Sequence, residues 1–355
     1  MKTSADRKRG DRMTHSAKQL LELARDWMKQ GNITIAFQLL NDALKRKESA
    51  EDKVIRGEIS KEIGRIHMQT GEWNRAEDAY NQATLLFLEQ GYFKGAAESV
   101  RNLANMKFQL GQFNDSDSLC EKAADWATQS GDFQLRATIL NTQGAIKSIE
   151  GKQHESIKIF KLCLSDFRRS GNRLREAHVL HNIGLAYLEI NEFSNASKAL
   201  EEALILALES KDATLVEICY QNMAKLHLRQ GDAVAARSLI RSARELIETL
   251  KSPNLTADLA IIEAEAMRMT GDLTGAENIL ERALVQAREN SLLQHEGEIL
   301  YEAGLVAIER GQADVARSRL EAAITLFKTT GGAQLEKAVN KLKVLEGSAK
   351  HSISI

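Results

Sequence analysis

The sequence predicts an all-α protein, a right-handed α-solenoid of eight helix hairpins closed at its C-terminal end by a capping helix. Three observations predict it. A glycine recurs every 40 residues, three further columns keep that period with small residues only, and the 355 residues contain a single proline. Average usage of roughly 5% would supply many more prolines. Their scarcity excludes proline-rich linkers and weighs against an all-β fold, whose turns draw on proline.

The glycines are Gly31, Gly71, Gly111, Gly151, Gly231, Gly271 and Gly311, and the missing position is filled by Asn191. Asn is the other residue that readily takes positive φ. Five residues after each hinge stand Ala36, Ala76, Ser116, Ser156, Ala196, Ala236, Ala276 and Ala316. Twelve after it stand Ala43, Ala83, Ala123, Cys163, Ala203, Ala243, Ala283 and Ala323. Seven before it stand Ala24, Gly64, Ala104, Gly144, Gly184, Ala224, Ala264 and Gly304. Between the small columns, nine residues after the hinge, come larger residues such as Tyr80, Phe160 and Leu200. Seven before the hinge lies about two turns up a first helix, and five and twelve after it share one face of a second. Small residues there let two antiparallel helices approach closely. A lone pair cannot bury such faces, whereas stacked pairs can.

The segments 174–190 and 193–210 show the helical period directly. Asp132, Asp232 and Asp272, each following a glycine, suit helix N-termini. Pro253 falls where a helix begins. The repeats fill residues 14–333, a capping helix spans 334–346, and residues 1–13 and 347–355 are expected to be disordered tails.

Composition excludes several function classes. Lys and Arg number 48 against 49 Asp and Glu, a net charge of -1, so bulk charge gives no reason to bind nucleic acid or an anionic membrane. Cys120, Cys163 and Cys219 are too scattered for a disulfide framework, which favours a reducing compartment. No apolar run approaches the ~18 residues of a membrane span, and the charged N-terminus lacks the apolar core of a signal peptide. A cytoplasmic location is expected.

These columns resemble the tetratricopeptide repeat: a small residue in the first helix, a glycine between helices, then Ala, an aromatic or Leu, and Ala in the second. The unit of 40 residues is longer than the common 34, and the proline that usually closes the second helix is missing. Such units resemble kinesin light chains, spindle-polarity adaptors and bacterial peptide-sensing regulators. The resemblance implies a non-enzymatic binding scaffold whose first helices line a concave groove.

Nine residues before the hinge the register reads Glu22, Glu62, Asn102, Thr142, Asn182, Asn222, Ile262 and Glu302. Asn is a poor helix-interior residue, by roughly 0.7 kcal/mol against Ala, so three copies in one column invite a functional reading. Arg101, Asn141, His181 and Gln221 stand one residue earlier, with Asn105 and Lys225 one turn further on. An amide offers donors and an acceptor together and so matches a peptide backbone without reading its sequence. The resemblance implies that Asn102, Asn182 and Asn222 hold an extended partner segment, with Arg101, Asn141, His181 and Lys225 adding selectivity. The alternative is that Asn at this register only faces solvent or caps a neighbour.

The terminal-carboxylate clamp of chaperone-tail receptors is argued against. Lys61 and Asn102 match it, but Arg65 stands where Asn is expected, and Thr138 and Thr142 stand in place of cations. Ile261, Ile262, Tyr301, Leu305 and Ile308 form an apolar C-terminal groove. It either receives a partner or forms a homodimer contact, or is covered by Val339, Leu342, Val344 and Leu345 of the last helix.

No phosphate-binding, dinucleotide or zinc-protease motif occurs. His178 and His181 are half a metal site that no register completes. The cysteines read as buried packing, and no cofactor is expected. The second functional reading is a sensory regulator whose array responds to a small peptide. Similar bacterial receptors carry an effector bundle ahead of the array, for which a first repeat starting near residue 14 leaves no room. That expectation ranks the scaffold first.

Overall fold

The computed structural model describes residues 15–331 and 334–352, and every described element is helical. The expected tail 1–13 and residues 353–355 lie outside the described residues. Two compact units divide between Arg175 and Glu176.

Unit 1 stacks four hairpins: α1 (Ala17–Lys29) with α2 (Ile33–Leu44), α4 (Lys53–Gln69) with α5 (Trp73–Leu88), α6 (Phe93–Gln109) with α7 (Phe113–Gln129), and α8 (Phe133–Ile149) with α9 (Gln153–Ser170). A short helix α3 (Lys47–Glu51) interrupts the first connection. It shortens α2 while keeping the 40-residue spacing to Gly71. Its buried Ser49 donates to the Ala43 carbonyl at 2.6 Å, and Glu48 accepts from the Ala17 amide at 2.8 Å, closing the start of α1.

Unit 2 holds the next four hairpins. They are α10 (Arg173–Glu189, beginning at the boundary) with α11 (Phe193–Glu209), α12 (Ala213–Arg229) with α13 (Ala233–Leu250), α14 (Pro253–Met269) with α15 (Leu273–Glu289), and α16 (Leu293–Glu309) with α17 (Ala313–Thr330). The last helix, α18, runs Leu335–Ser352 and so continues past residue 346. Its Val339 and Leu342 pack with Phe327, Ile324 and Tyr301, whereas Val344, expected to pack, is 65% exposed.

Each hinge closes in the same way. Gly71 has φ 77°. Its amide bonds the Met68 carbonyl at 3.3 Å, and the Glu72 amide bonds the His67 carbonyl at 2.8 Å. This pair of bonds satisfies carbonyls that the helix end would leave open. A second hinge column, unread in the sequence, lies between hairpins: positive φ recurs every twenty residues from Gly71 to Gly331. Glycine fills Gly91, Gly131, Gly171 and Gly331 of it, but Lys211, Lys251 and Ser291 occupy the rest at φ 55°, 50° and 55°. Asp132, Asp232 and Asp272 accept from the amides of Leu135, Ala235 and Gly275, all at 2.9 Å, as their positions suggested. Pro253 opens α14.

The small columns have a more specific purpose than close approach alone. A Cβ built on Gly64 would lie 2.7 Å from the Tyr80 ring, on Gly144 2.5 Å from Phe160, and on Gly184 2.7 Å from Leu200. Where the first-helix residue is glycine, the large residue nine after the hinge thus fills the missing methyl. Ser116 and Ser156 replace Ala in a buried column by donating to the Ala104 and Gly144 carbonyls, both at 2.8 Å.

Two predictions follow from this packing. Replacing Lys211 or Ser291 by Gly relieves a left-handed L-residue and should stabilise unit 2 by about 0.5–1 kcal/mol each, read by urea unfolding. Gly144→Ala should cost about 1–3 kcal/mol by overpacking. Adding Phe160→Leu should recover most of that loss if the ring is what the methyl meets.

Candidate functional site

The sequence-derived band falls on two pairs of first helices, one in each unit. In unit 1, Arg101, Asn102 and Asn105 lie on α6 and Asn141 and Thr142 on α8, all half-buried. Arg101 Nη2 donates to Asn102 Oδ1 at 3.0 Å, and Thr142 Oγ1 donates to Asn105 Oδ1 at 3.3 Å. These bonds join polar side chains to one another, so the surface they form is polar and ordered.

In unit 2, His181 and Asn182 lie on α10, and Gln221, Asn222 and Lys225 on α12. Asn222 Nδ2 donates to His181 Nε2 at 2.8 Å and to the Ile218 carbonyl at 3.0 Å. Burial pushes the His181 imidazole down to about 4, against a hydrogen bond donated to Asn182 that favours its charged form. It is therefore a neutral acceptor at neutral pH. Gln221 and Asn222 are buried, and Gln221 Nε2 bonds the Leu255 carbonyl at 3.1 Å and Glu217 Oε1. The Gln221 amide thus joins α12 to α14, a structural use that register alone does not reveal.

The same register holds ion pairs near the chain ends. Glu62 takes Arg25 at 2.9 Å and Arg65 at 2.7 Å, and Glu302 takes Arg268 at 2.6 Å. Glu302 is buried, which pushes its carboxyl up to about 7 even beside Arg268. Ile262, expected in the apolar groove, is instead fully enclosed with Ala224, Ile240 and Leu259. Tyr301 packs with the last helix, while Ile261, Leu305 and Ile308 are half-buried.

The sequence reading passed over a charged cleft of about 590 Å³ on α4 and α6, lined in part by Lys61, Arg65, Glu98 and Arg101. Its signal was legible: Glu58 and Glu98 repeat thirteen residues before successive hinges, and Lys61 and Arg101 ten before. Lys61 is buried between Glu58 and Glu98 and lies 5.7 Å from the centre of the Phe87 ring.

His178 stands 3.8 Å from Asp212. Among the described residues no group of three or more His, Cys, Asp or Glu could hold a metal ion, and no helix is long and apolar enough to cross a membrane. All three cysteines are buried. Burial pushes the Cys120 and Cys219 thiols up to about 12, and Cys163 Sγ donates to the Ala137 carbonyl at 3.0 Å. Packed, protonated thiols of this kind are poor nucleophiles.

Residues 135–209 match the family model described as Tetratricopeptide repeat. Over 252 residues the chain is 23% identical to "Tetratricopeptide repeat protein 19 homolog, mitochondrial" of Drosophila melanogaster, covering 69% of this chain and 63% of the fly protein. It is 22% identical to "Regulatory protein RapG" of Bacillus subtilis, covering 67% and 65% respectively. The chain thus spans a little under two thirds of these curated relatives. Among solved structures, the apo form of the quorum sensor NprR from B. thuringiensis superposes with a TM-score of 0.68 at 14% identity, over 91% of this chain and 92% of that one.

Glu217 supplies a pH prediction. It is fully enclosed, and its Oε2 lacks a hydrogen-bond partner. Burial, with a smaller push from Asp258, raises its carboxyl from 4.5 to about 7, while Gln221 and Lys225 act the other way. The folded state therefore binds more protons than the unfolded one, and stability falls as pH rises from 4.5 to about 7. Glu217→Gln removes that loss. Its unfolding temperature should exceed the wild type's by at least about 2 °C at pH 8 and match it near pH 4. His181 has the opposite sign but contributes equally to both proteins.

Proposed function

We propose that this chain, an α-solenoid built of tetratricopeptide repeats, is a non-enzymatic scaffold or adaptor that binds a peptide or partner segment on its first-helix face. The observation that carries the reading is the band on α6 and α8, where Arg101, Asn102, Asn105, Asn141 and Thr142 stand half-buried at successive registers. Side chains held part-way out of solvent and bonded to one another present donors and acceptors without the entropy loss of ordering them at binding. In unit 2 the corresponding contribution comes from His181, Asn182 and Lys225. Asn222 orients the neutral His181 ring through their 2.8 Å bond, and Gln221 sits behind them.

Backbone recognition by amides needs an extended ligand, and amides read no side chains. Selectivity then falls to the charged members, Arg101 and Lys225. The reading includes neither nucleic acid nor membrane among the partners, in keeping with the balanced charge. Three buried thiols suit a reducing, cytoplasmic setting. Packing of Tyr301 with the last helix favours a covered C-terminal face over a homodimer contact.

A second reading, a peptide-responsive regulator, draws support from the names "Regulatory protein RapG" and "quorum sensor NprR" among the similar proteins. In that case ligand binding changes the arrangement of the array, and small-angle scattering with and without a selected peptide separates it from a passive scaffold.

The test is selection of a displayed random-peptide library on the full chain. The triple variant Asn102→Ala, Asn105→Ala, Asn182→Ala should weaken recovered peptides about tenfold or more, as expected for several lost hydrogen bonds. Its circular dichroism should match the wild type's. Peptides that bind both proteins equally would place recognition elsewhere.

A further inference from the structure

We propose that the cleft on α4 and α6 is an anion site that seats a carboxylate side chain of the bound segment between Arg101 and Arg65, with Asn102 beside them. The inference rests on the groove reading above and names the ligand chemistry at one end of it.

One cation of the cleft has no ion partner. Its lining carries four cations, Arg25, Lys61, Arg65 and Arg101, and three carboxylates, Glu58, Glu62 and Glu98, and Glu22 beside it pairs with Arg25 at 2.8 Å. Those carboxylates are taken. Glu58 holds Arg25 and Lys61, Glu62 holds Arg25 and Arg65, and Glu98 holds Lys61. Arg101 forms no ion pair among the described residues. One of its nitrogens reaches Asn102 Oδ1, while its Nε is buried with no hydrogen-bond partner. Burial pulls its guanidinium below the ordinary range; the Glu98 carboxylate acts against that, and the positive charge of Arg65 adds to it. A half-buried guanidinium with an unused donor beside a second cation is unfavourable alone and becomes favourable when an anion completes it.

The kind of anion follows from the same count. One cation without an ion partner, Arg101, suits one carboxylate. A phosphate of about −2 brings more charge than Arg101 alone can match, with Glu98 and Glu58 at hand to repel it. Arg65 is half exposed, so it can swing onto an incoming group while Glu62 keeps Arg25. The site differs from the terminal-carboxylate clamp considered in the sequence, because Arg101 lies outside that pattern and the clamp's later cations are Thr138 and Thr142.

The experiment follows the Arg101 Nε–Hε resonance of the full ¹⁵N-labelled chain, assigned by its loss in Arg101→Lys. The probes are N-acetylglutamate amide, N-acetylglutamine amide and inorganic phosphate. The acid probe should give a saturable shift at least about tenfold tighter than either other probe, as a charge-assisted pair requires. Arg65→Gln, at a half-exposed position that leaves the fold intact, should weaken it about fivefold or more. No shift, an equal response to the glutamine probe, or tighter binding of phosphate would each overturn the proposal. The peptide selection separates the two readings. Peptides that need the Asn positions but show no Asp or Glu preference and ignore Arg101→Lys would overturn this site and leave the groove standing. A specific acid-probe shift alongside a failed selection would do the reverse.

Discussion

A helix of about seventeen residues followed by one residue in the left-handed region is the unit on which everything else in this molecule depends. The paired bonds at each hinge, such as those at Gly71 and Glu72, end the helix at a fixed place and start the next at a fixed angle. Because the spacing does not drift, positions seven before and nine after a hinge meet in every hairpin, and a glycine in one can be answered by a ring in the other. The first connection departs, and there α3 absorbs the difference with Ser49 and Glu48 tying it down; at Lys251 a single bond to the Ile247 carbonyl replaces the pair.

The fold was legible because its cause is local and repeated. A hinge glycine and three small columns stand out in a single sequence. The second set of hinges was not, since nothing about Lys211, Lys251 or Ser291 as residue types announces a positive φ. Registers of the candidate site were equally legible, but exposure was not. Gln221 and Ile262 occupy first-helix positions that looked open, yet the Leu255 carbonyl takes one and the packing around Ile240 and Leu259 encloses the other. How deep such a position lies depends on side chains a whole repeat away. At the charged cleft the repeat of Glu58 with Glu98 and of Lys61 with Arg101 is legible, but which carboxylate holds which cation is not, as the Arg25–Glu62 pair, 37 residues apart in sequence, shows.

Polar groups on the first-helix face come in two kinds. Near the chain ends they are ion pairs, Glu62 with Arg25 and Glu302 with Arg268, in which burial works against the charges that hold the pair together. In the middle hairpins amides, hydroxyls and a neutral imidazole stand beside Arg101 and Lys225, and these uncharged groups cost less to desolvate and keep their bonds across a wide pH range.

The meeting of Gly144 with Phe160, and of Gly64 with Tyr80, takes place inside a single hairpin. Knob and hole are therefore inherited together. A genetic duplication or deletion of whole 40-residue cassettes carries each bulky residue along with the space cut for it. The faces that must then be rejoined are those between hairpins, where the fit can also be specific: a Cβ on Gly95 would lie 2.8 Å from the Phe87 ring of the preceding hairpin. The cost of moving a cassette therefore falls on its junctions and not on its interior.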